Sequence, residues 1–215
     1  MQQSPPQTKP QLYVFEGADR VGKSTLSIKL ANQLQIPRLH FSAPDKQLQV
    51  KLGKQYQYLN LVDDPQSCVL DRSWVSGLFY DEHRRQECPQ TKSALMVDYC
   101  LQAHYQINYI FVYRAWTKSL RKEHEREIAA GEGYGTLKER YSEHISWPLH
   151  FLNWSNMVCS DANIWILHSD PERNILSELV EYHAKPYLRL DYEKVSTQLS
   201  RIAFSQSIYS LDSSF

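Results

Sequence analysis

The stretch 11-QLYVFEGADRVGKSTLSIKLANQL-34 decides the fold. An apolar, β-prone run at 11–15 leads into a segment with the pattern G-x-x-x-x-G-K-[ST] at 17–24, and a helical pattern follows to about Gln35. A loop of this kind curls so that consecutive backbone N–H groups converge on phosphate oxygens. The helix that begins there turns its positive end toward the anion. The stretch therefore predicts a loop for a nucleoside triphosphate between a buried strand and a helix.

The spacing assigns chemistry to single positions of this loop. Glycine permits the backbone angles that a tight phosphate cradle needs. Lys23 is expected to reach the β- and γ-phosphates, the Ser24 hydroxyl to bind Mg²⁺, and Thr25 to support the loop. The expected cofactors are ATP and Mg²⁺.

Further apolar runs at 38–42, 67–71, 108–113 and 163–169 alternate with helical patterns along the chain. Such alternation predicts an α/β fold, here a P-loop NTPase three-layer sandwich with a parallel central sheet. No linker or internal repeat interrupts it. The expected organisation is a flexible N-terminal arm (1–10), one domain (11–185) and a C-terminal extension of unassigned role (186–215).

A second acid follows the predicted strand at 67–71. A Mg²⁺–triphosphate site needs a carboxylate at the end of a neighbouring strand, and Asp71 in "SCVLDRS" lies at such an end. Because ligands of open α/β sheets bind beyond the carboxyl ends of the strands, Asp71 and the loop are expected to share one cleft. Arg72 follows at once, and its rigid guanidinium suits a phosphate.

The charged segment 114-RAWTKSLRKEHEREIAAGEGYG-135 predicts a helical lid over about 115–136, with the glycines as its joint. Its cations Arg114, Lys118, Arg121 and Lys122 are spaced for one helical face, from which they would neutralise the transferring phosphoryl group. A solvated helix with Glu–Lys and Glu–Arg pairs is the alternative interpretation.

The bulk composition excludes several classes. Lysine plus arginine and aspartate plus glutamate are 24 each in 215 residues, which argues against bulk attraction to nucleic acid and leaves a local basic groove open. The four cysteines form no Cys-x-x-Cys pair, so we expect neither a zinc site nor a disulfide framework. Reduced thiols, no signal-peptide pattern and no long apolar stretch predict a cytoplasmic protein without a membrane partner.

"FEGADRVGKST" (15–25) resembles the P-loop of thymidylate kinases, and "LDRSWVSGLFYD" (70–81) resembles the Asp-Arg segment of that family. The compact spacing is similar to short phage-type members, some of whose relatives phosphorylate 5-hydroxymethyluracil within DNA. The resemblance implies an ATP-dependent nucleotide kinase. It implies that Asp19 approaches the acceptor sugar, that Arg20 binds phosphate, that Asp71 and Arg72 take metal and acceptor-phosphate roles, and that Arg121 lies against the adenine.

These assignments give four residue sets. The predicted catalytic residues are Lys23, Arg20, Asp71 and Arg121, and the predicted metal ligands are Ser24 and Asp71. The predicted ATP-binding residues are Gly17, Ala18, Asp19, Arg20, Val21, Gly22, Lys23, Ser24, Thr25 and Arg121. The predicted acceptor-binding residues are Asp19, Arg72, His40, Ser42 and Tyr56, with "HFSAP" (40–44) resembling the family's acceptor loop.

The acceptor stays open at this point. The chain between Phe41 and Asp71 is short and lacks the family's Asn-Arg pair, and Tyr56 and Tyr58 suit either base stacking or the core. A pyrimidine deoxynucleoside monophosphate, dTMP-like, is the first expectation.

A hydroxymethylpyrimidine in DNA is the second, with Arg84, Arg85 and Lys92 as a basic rim. A deoxynucleoside is the third, because "DRS" echoes deoxynucleoside kinases, in which the acid is a general base. A homodimer and, outside the kinases, a P-loop ATPase switch are further alternatives.

Overall fold

The structure is a computed structural model that describes residues 9–41, 54–83, 91–132, 135–157, 162–169, 197–198 and 200–202. Within these residues, strands and helices alternate along the chain as predicted. The strands are β1 (Gln11–Glu16), β2 (Arg38–Leu39), β3 (Cys68–Asp71), β4 (Gln106–Tyr113) and β5 (Asn163–His168). The helices are α1 (Lys23–Leu34), a 3₁₀ helix (Lys54–Val62), α2 (Trp74–His83), α3 (Thr91–His104), α4 (Lys118–Ala129) and α5 (Leu137–Met157).

The sheet has five strands in the order β2-β3-β1-β4-β5, and all four pairings are parallel. The crossover from β1 to β2 runs in one direction along the sheet, and the later crossovers run in the other. Because such connections are right-handed, α1 packs on one face and the remaining connecting helices pack on the opposite face. The sheet is thus the middle of three layers, as the alternation predicted.

The central strands β1 and β4 are buried almost throughout. A parallel strand covered on both faces reads as a continuous apolar run, which is why "LYVF" and "IFVY" predicted strands at these positions. On the face opposite α1, α5 supplies aromatic side chains. The rings of Phe111 and Phe151 stack with centroids 4.8 Å apart, and Trp154 contacts Tyr109 edge-on.

Two elements differ from the prediction, one in its length and one in its helix type. The run at 38–42 forms only Arg38–Leu39, because β2 is an edge strand that pairs with β3 alone and leaves it after two residues. The helical part of 45–62 is the 3₁₀ helix. The predicted helix at 170–184, most of the arm and most of the C-terminal extension lie outside the described residues.

Candidate functional site

The loop after β1 is shaped by left-handed backbone at three positions. Gly17 has φ +138°, Arg20 +63° and Gly22 +91°. A Cβ on Gly17 would lie 2.1 Å from the carbonyl oxygen of Val112, so the loop packs directly against the end of β4. Positive φ values of this kind occur in anion nests, in which successive N–H groups turn toward a common point.

Lys23 is buried at the start of α1, and its ammonium donates a hydrogen bond to the carbonyl of Ala18 within the same loop. Burial, with a further contribution from the charge of Arg72, lowers the pKa of Lys23 to about 7, against the opposing charges of Asp19, Glu16 and Asp71. These three carboxylates therefore lie near enough to the ammonium of Lys23 to influence it.

Asp71 ends β3 directly beside Phe15 of β1. Its Oδ2 accepts a hydrogen bond from Arg38, whereas its buried Oδ1 has no partner among the residues that the structure describes. A buried carboxylate oxygen without a partner calls for a ligand, and carboxylate and hydroxyl oxygens are the donors that Mg²⁺ prefers. The donor set of Asp71 and the exposed Ser24 therefore fits the predicted metal.

Arg38 is a site residue that sequence reasoning missed. Its Nε donates to the Ser27 hydroxyl at 2.9 Å, and that hydroxyl donates to the carbonyl of Ser24, also at 2.9 Å. Arg38 thus connects Asp71 with the first turn of α1. No local pattern marks it, because its partners come from two other elements.

Asp19 and Arg72, both predicted to bind the acceptor, contact each other beside the loop. Arg72, which has φ +75°, donates to Asp19 Oδ1 and to the hydroxyl of Tyr80, over whose ring it also lies at 5.0 Å. The Tyr80 hydroxyl in turn donates to Asp19 Oδ1 at 3.2 Å. Burial opposes the charged form of Arg72, but the interactions with Tyr80 and Asp19, including the hydrogen bonds to both, outweigh it and raise the pKa of Arg72, so this guanidinium stays charged. The predicted pair is brought together, with Tyr80 as a member that the motif did not reveal.

A fully buried carboxylate, that of Glu16, connects the residues that follow Asp71-Arg72 with β1. Glu16 accepts hydrogen bonds from the hydroxyls of Ser73 and Ser76, which fastens the start of α2 to the end of β1. Burial raises the pKa of Glu16, and the two hydroxyls with Arg72 and Lys23 oppose this shift. Hydroxyls three residues apart after Asp71-Arg72 were the available signal for this contact.

Helix α4 meets the loop through a carboxylate. Glu127 binds Arg20 in the loop, with 2.9 Å between Oε1 and Nη2, and it also accepts a hydrogen bond from Arg140 of α5. Arg140 lies 3.2 Å from the ring of His124, so α4, α5 and the loop share one cluster of charges. Sequence reasoning singled out neither Glu127 nor Arg140.

The predicted cationic face of the lid is wrong in one member. Arg114 precedes α4, which begins at Lys118 after the N-cap Thr117, and Arg114 makes a bidentate ion pair with Glu123. Arg121 is exposed and pairs with Glu125 at 2.8 Å. Its predicted contact with adenine stays a prediction.

The remaining predicted acceptor residues are placed unevenly. His40 follows β2, with its Nδ1 3.0 Å from the carbonyl oxygen of Asp71, so it borders the cleft. Tyr58 is buried between Phe41 and Trp74, which selects the core interpretation for this ring. Ser42, the side chain of Tyr56, Arg84 and Arg85 lie outside the described residues, and Lys92 is exposed on α3.

A cavity of about 280 Å³ lies at the carboxyl ends of β4 and β5, lined by Tyr113, Ile166, His168, Gln198, Arg201 and Ile202. It neighbours the loop, because a Cβ on Gly22 would lie 3.7 Å from the side chain of Ser169, the residue after β5. Aromatic, aliphatic and polar walls together suit a flat heterocycle.

Within the described part of the chain, no cluster of three or more histidine, cysteine, aspartate or glutamate side chains is arranged for a metal ion. None of the helices described there is both long and apolar enough to cross a membrane.

Comparison with solved structures identifies the fold. The YorR protein of Bacillus subtilis, solved in complex with phosphorylated GDP, is 19% identical over 80% of this chain and 95% of that chain, with a TM-score of 0.54. A protein of Chloroflexus aurantiacus that is provisionally assigned as a kinase is 16% identical over 83% of this chain and 96% of that one, with a TM-score of 0.51.

The thymidylate kinase of Candida albicans matches at 17% identity over 82% of this chain and 92% of that chain, but a TM-score of 0.47 is too low to carry an argument. At these identities the likeness shows the fold and leaves the activity to the site itself. The predicted fold class is confirmed. No protein-family model matches the chain, and no curated protein is similar to it in sequence.

Proposed function

We propose that the protein is an ATP-dependent kinase that transfers the γ-phosphate to a deoxynucleotide-type acceptor. One observation carries the proposal: the buried Lys23 begins the helix that follows β1, and Asp71 ends the adjacent strand β3 with an Oδ1 that has no partner among the described residues. Phosphoryl transfer needs positioning and charge stabilisation more than covalent chemistry, and these groups supply both.

The roles follow from where the groups lie. The loop amides and Lys23 hold the phosphate tail, and Arg20 approaches the transferring phosphoryl group from the side of α4. Ser24 and Asp71 would hold Mg²⁺, which would neutralise part of the negative charge of the phosphate tail. Arg72, held by Asp19 and Tyr80, faces the acceptor.

A pyrimidine deoxynucleoside monophosphate is the preferred acceptor. Arg72 is a charged, rigid fork, and such a fork suits the phosphate of a monophosphate better than a neutral hydroxyl. Arg38 binds Oδ2 of Asp71, so Oδ1 would be the oxygen that holds a metal ion, and Asp71 in that role would not serve as a general base. An ionised acceptor phosphate needs no base, whereas a nucleoside hydroxyl or a hydroxymethylpyrimidine in DNA does.

The test incubates the protein with Mg²⁺, γ-labelled ATP and separate acceptors: dTMP, dUMP, thymidine, and duplex DNA with or without hydroxymethyluracil. We expect label on a monophosphate. Lys23→Ala should lower the transfer rate at least about 100-fold, since it removes a group that stabilises the transferred charge. Lys29→Ala, an exposed lysine on the same helix, is the matched control and should retain the rate.

Label on thymidine or on hydroxymethyluracil DNA alone would replace the acceptor and keep the kinase. Hydrolysis of ATP that no acceptor accelerates would contradict the kinase proposal and favour a switch.

A further inference from the structure

Glu127 lies between two arginines that come from different parts of the chain. Its Oε1 is 2.9 Å from Nη2 of Arg20, its Oε2 is 3.4 Å from Nε of Arg20, and Oε2 also accepts a hydrogen bond from Nη1 of Arg140. Two guanidinium groups therefore converge on one carboxylate at the border of the phosphate-binding loop. Guanidinium forks bind carboxylates and phosphates with the same bidentate geometry.

The two ion pairs differ in how easily they exchange partners. The side chain of Arg140 is 2% exposed, so breaking its contact with Glu127 would remove a carboxylate partner from a buried charge, which is costly. The side chain of Arg20 is 46% exposed, and an ion pair that is so open to water is weak. Arg20 is thus the partner that can leave Glu127, whereas Arg140 keeps the carboxylate in place.

We propose that Glu127 competes with the terminal phosphate of the nucleotide for Arg20 and thereby determines how well the site distinguishes a triphosphate from a diphosphate. The proposal rests on the proposed function, in which Arg20 binds the transferring phosphoryl group. A triphosphate places an additional dianionic group near Arg20 and displaces Glu127. A diphosphate lacks that group and leaves the Arg20–Glu127 pair intact.

The chain offers a matched control on the same helix. Glu125 is also paired with an arginine, Arg121, but its side chain is 44% exposed and contacts neither the loop nor Arg140 in the described contacts. Glu127→Gln and Glu125→Gln change the net charge equally. A general effect of net charge on nucleotide binding would therefore appear in both variants, and competition for Arg20 only in the first.

The experiment measures dissociation constants by calorimetry on the full chain with Mg²⁺, using a non-hydrolysable ATP analogue and ADP. Glu127→Gln should tighten binding of the analogue about 3- to 10-fold, as expected when a weak competing ion pair is removed. It should change ADP binding less than about twofold, as should Glu125→Gln for both nucleotides. In an Arg20→Gln background, Glu127→Gln should have no further effect on the analogue.

Glu127→Asp protects the test against misfolding, because it keeps a negative charge near the buried Arg140. Its shorter side chain weakens the exposed pair with Arg20, so it should also tighten binding of the analogue. Equal constants for Glu127→Gln and Glu125→Gln, equal tightening for ADP and the analogue, or an undiminished effect without Arg20 would each overturn the inference and leave the kinase proposal standing. If no protein, wild type included, binds either nucleotide, both fail together.

Discussion

Asp98 offers a test of the structure that is independent of catalysis. This residue of α3 is 2% exposed, and its carboxylate accepts hydrogen bonds from the hydroxyl of Tyr109 and from Nε2 of Gln102. Burial outweighs these hydrogen bonds and raises the pKa of Asp98 from its ordinary value of 3.8 to about 6. Ionised Asp98 therefore destabilises the folded state at neutral pH, and the change to examine is Asp98→Asn.

The sign and size follow from linkage. Since the folded-state pKa lies above the unfolded-state value, the folded protein binds the proton more tightly, and this stabilisation is present below about pH 4 and lost as the pH rises to about 6. A shift of roughly two units corresponds to about 3 kcal/mol. Asp98→Asn removes the charge and keeps an oxygen for Tyr109. It should raise the free energy of unfolding by up to about 3 kcal/mol at pH 7.5 and by almost nothing near pH 4.

The assay is urea unfolding of wild type and variant at several pH values between 4.5 and 7.5. Asp63→Asn, a change at an exposed aspartate, is the control and should not alter the unfolding free energy in a pH-dependent way. A gain of equal size at every pH, or a loss of stability at pH 7.5, would refute the reasoning. Either result would mean that ionisation of the buried Asp98 does not destabilise the folded protein.

Three further predictions concern the site. Gly17→Ala should lower the free energy of unfolding by more than about 2 kcal/mol, because the new methyl group meets the carbonyl of Val112 at 2.1 Å. Thermal unfolding is the assay, and Gly131→Ala is the control, because Gly131 also has a positive φ but open space around it. The difference between the two variants separates the steric collision from backbone strain. Binding of the ATP analogue should weaken up to about tenfold per pH unit above pH 7, because Lys23, with its pKa of about 7, loses its proton. Calorimetry should show that Lys23→Met removes this pH dependence. A pH dependence that Lys23→Met retains would assign the titration to another group. Asp71→Asn should raise the Mg²⁺ concentration needed for half-maximal transfer at least about tenfold, and an unchanged Mg²⁺ titration would remove Asp71 from the metal site.

The fold was predictable because its decisive signals are local. A strand covered on both faces is apolar along its length, and β1, β3 and β4 were found on that basis. The length of β2 was not predictable from the sequence. An edge strand ends where its one neighbour stops pairing with it, and that point depends on β3 and not on the residues at 40–42.

The residues of the candidate site show the same difference between local and long-range signals. The G-x-x-x-x-G-K-S loop and Asp71-Arg72 are contiguous motifs, so the sequence singled out their side chains, and the structure brings Arg72 to Asp19 of the loop. Arg38, Tyr80 and Glu127 were missed because each reaches the site across the fold, in pairs separated by 33 to 107 positions in the sequence. No periodicity within one element encodes such a contact.

Helix α4 shows why charge spacing alone selects the wrong face. The cations at 118, 121 and 122 point to water, whereas Glu123 and Glu127, also four residues apart, face Arg114 and Arg20. Both sets satisfy helical spacing, so the sequence cannot rank them. In the structure the two sets differ in the side chains that lie opposite them. A carboxylate beside an arginine is stabilised, whereas a lysine at the same place would be repelled. Glu127 therefore joins α4 to the loop through Arg20, and Glu123 joins the same helix to Arg114.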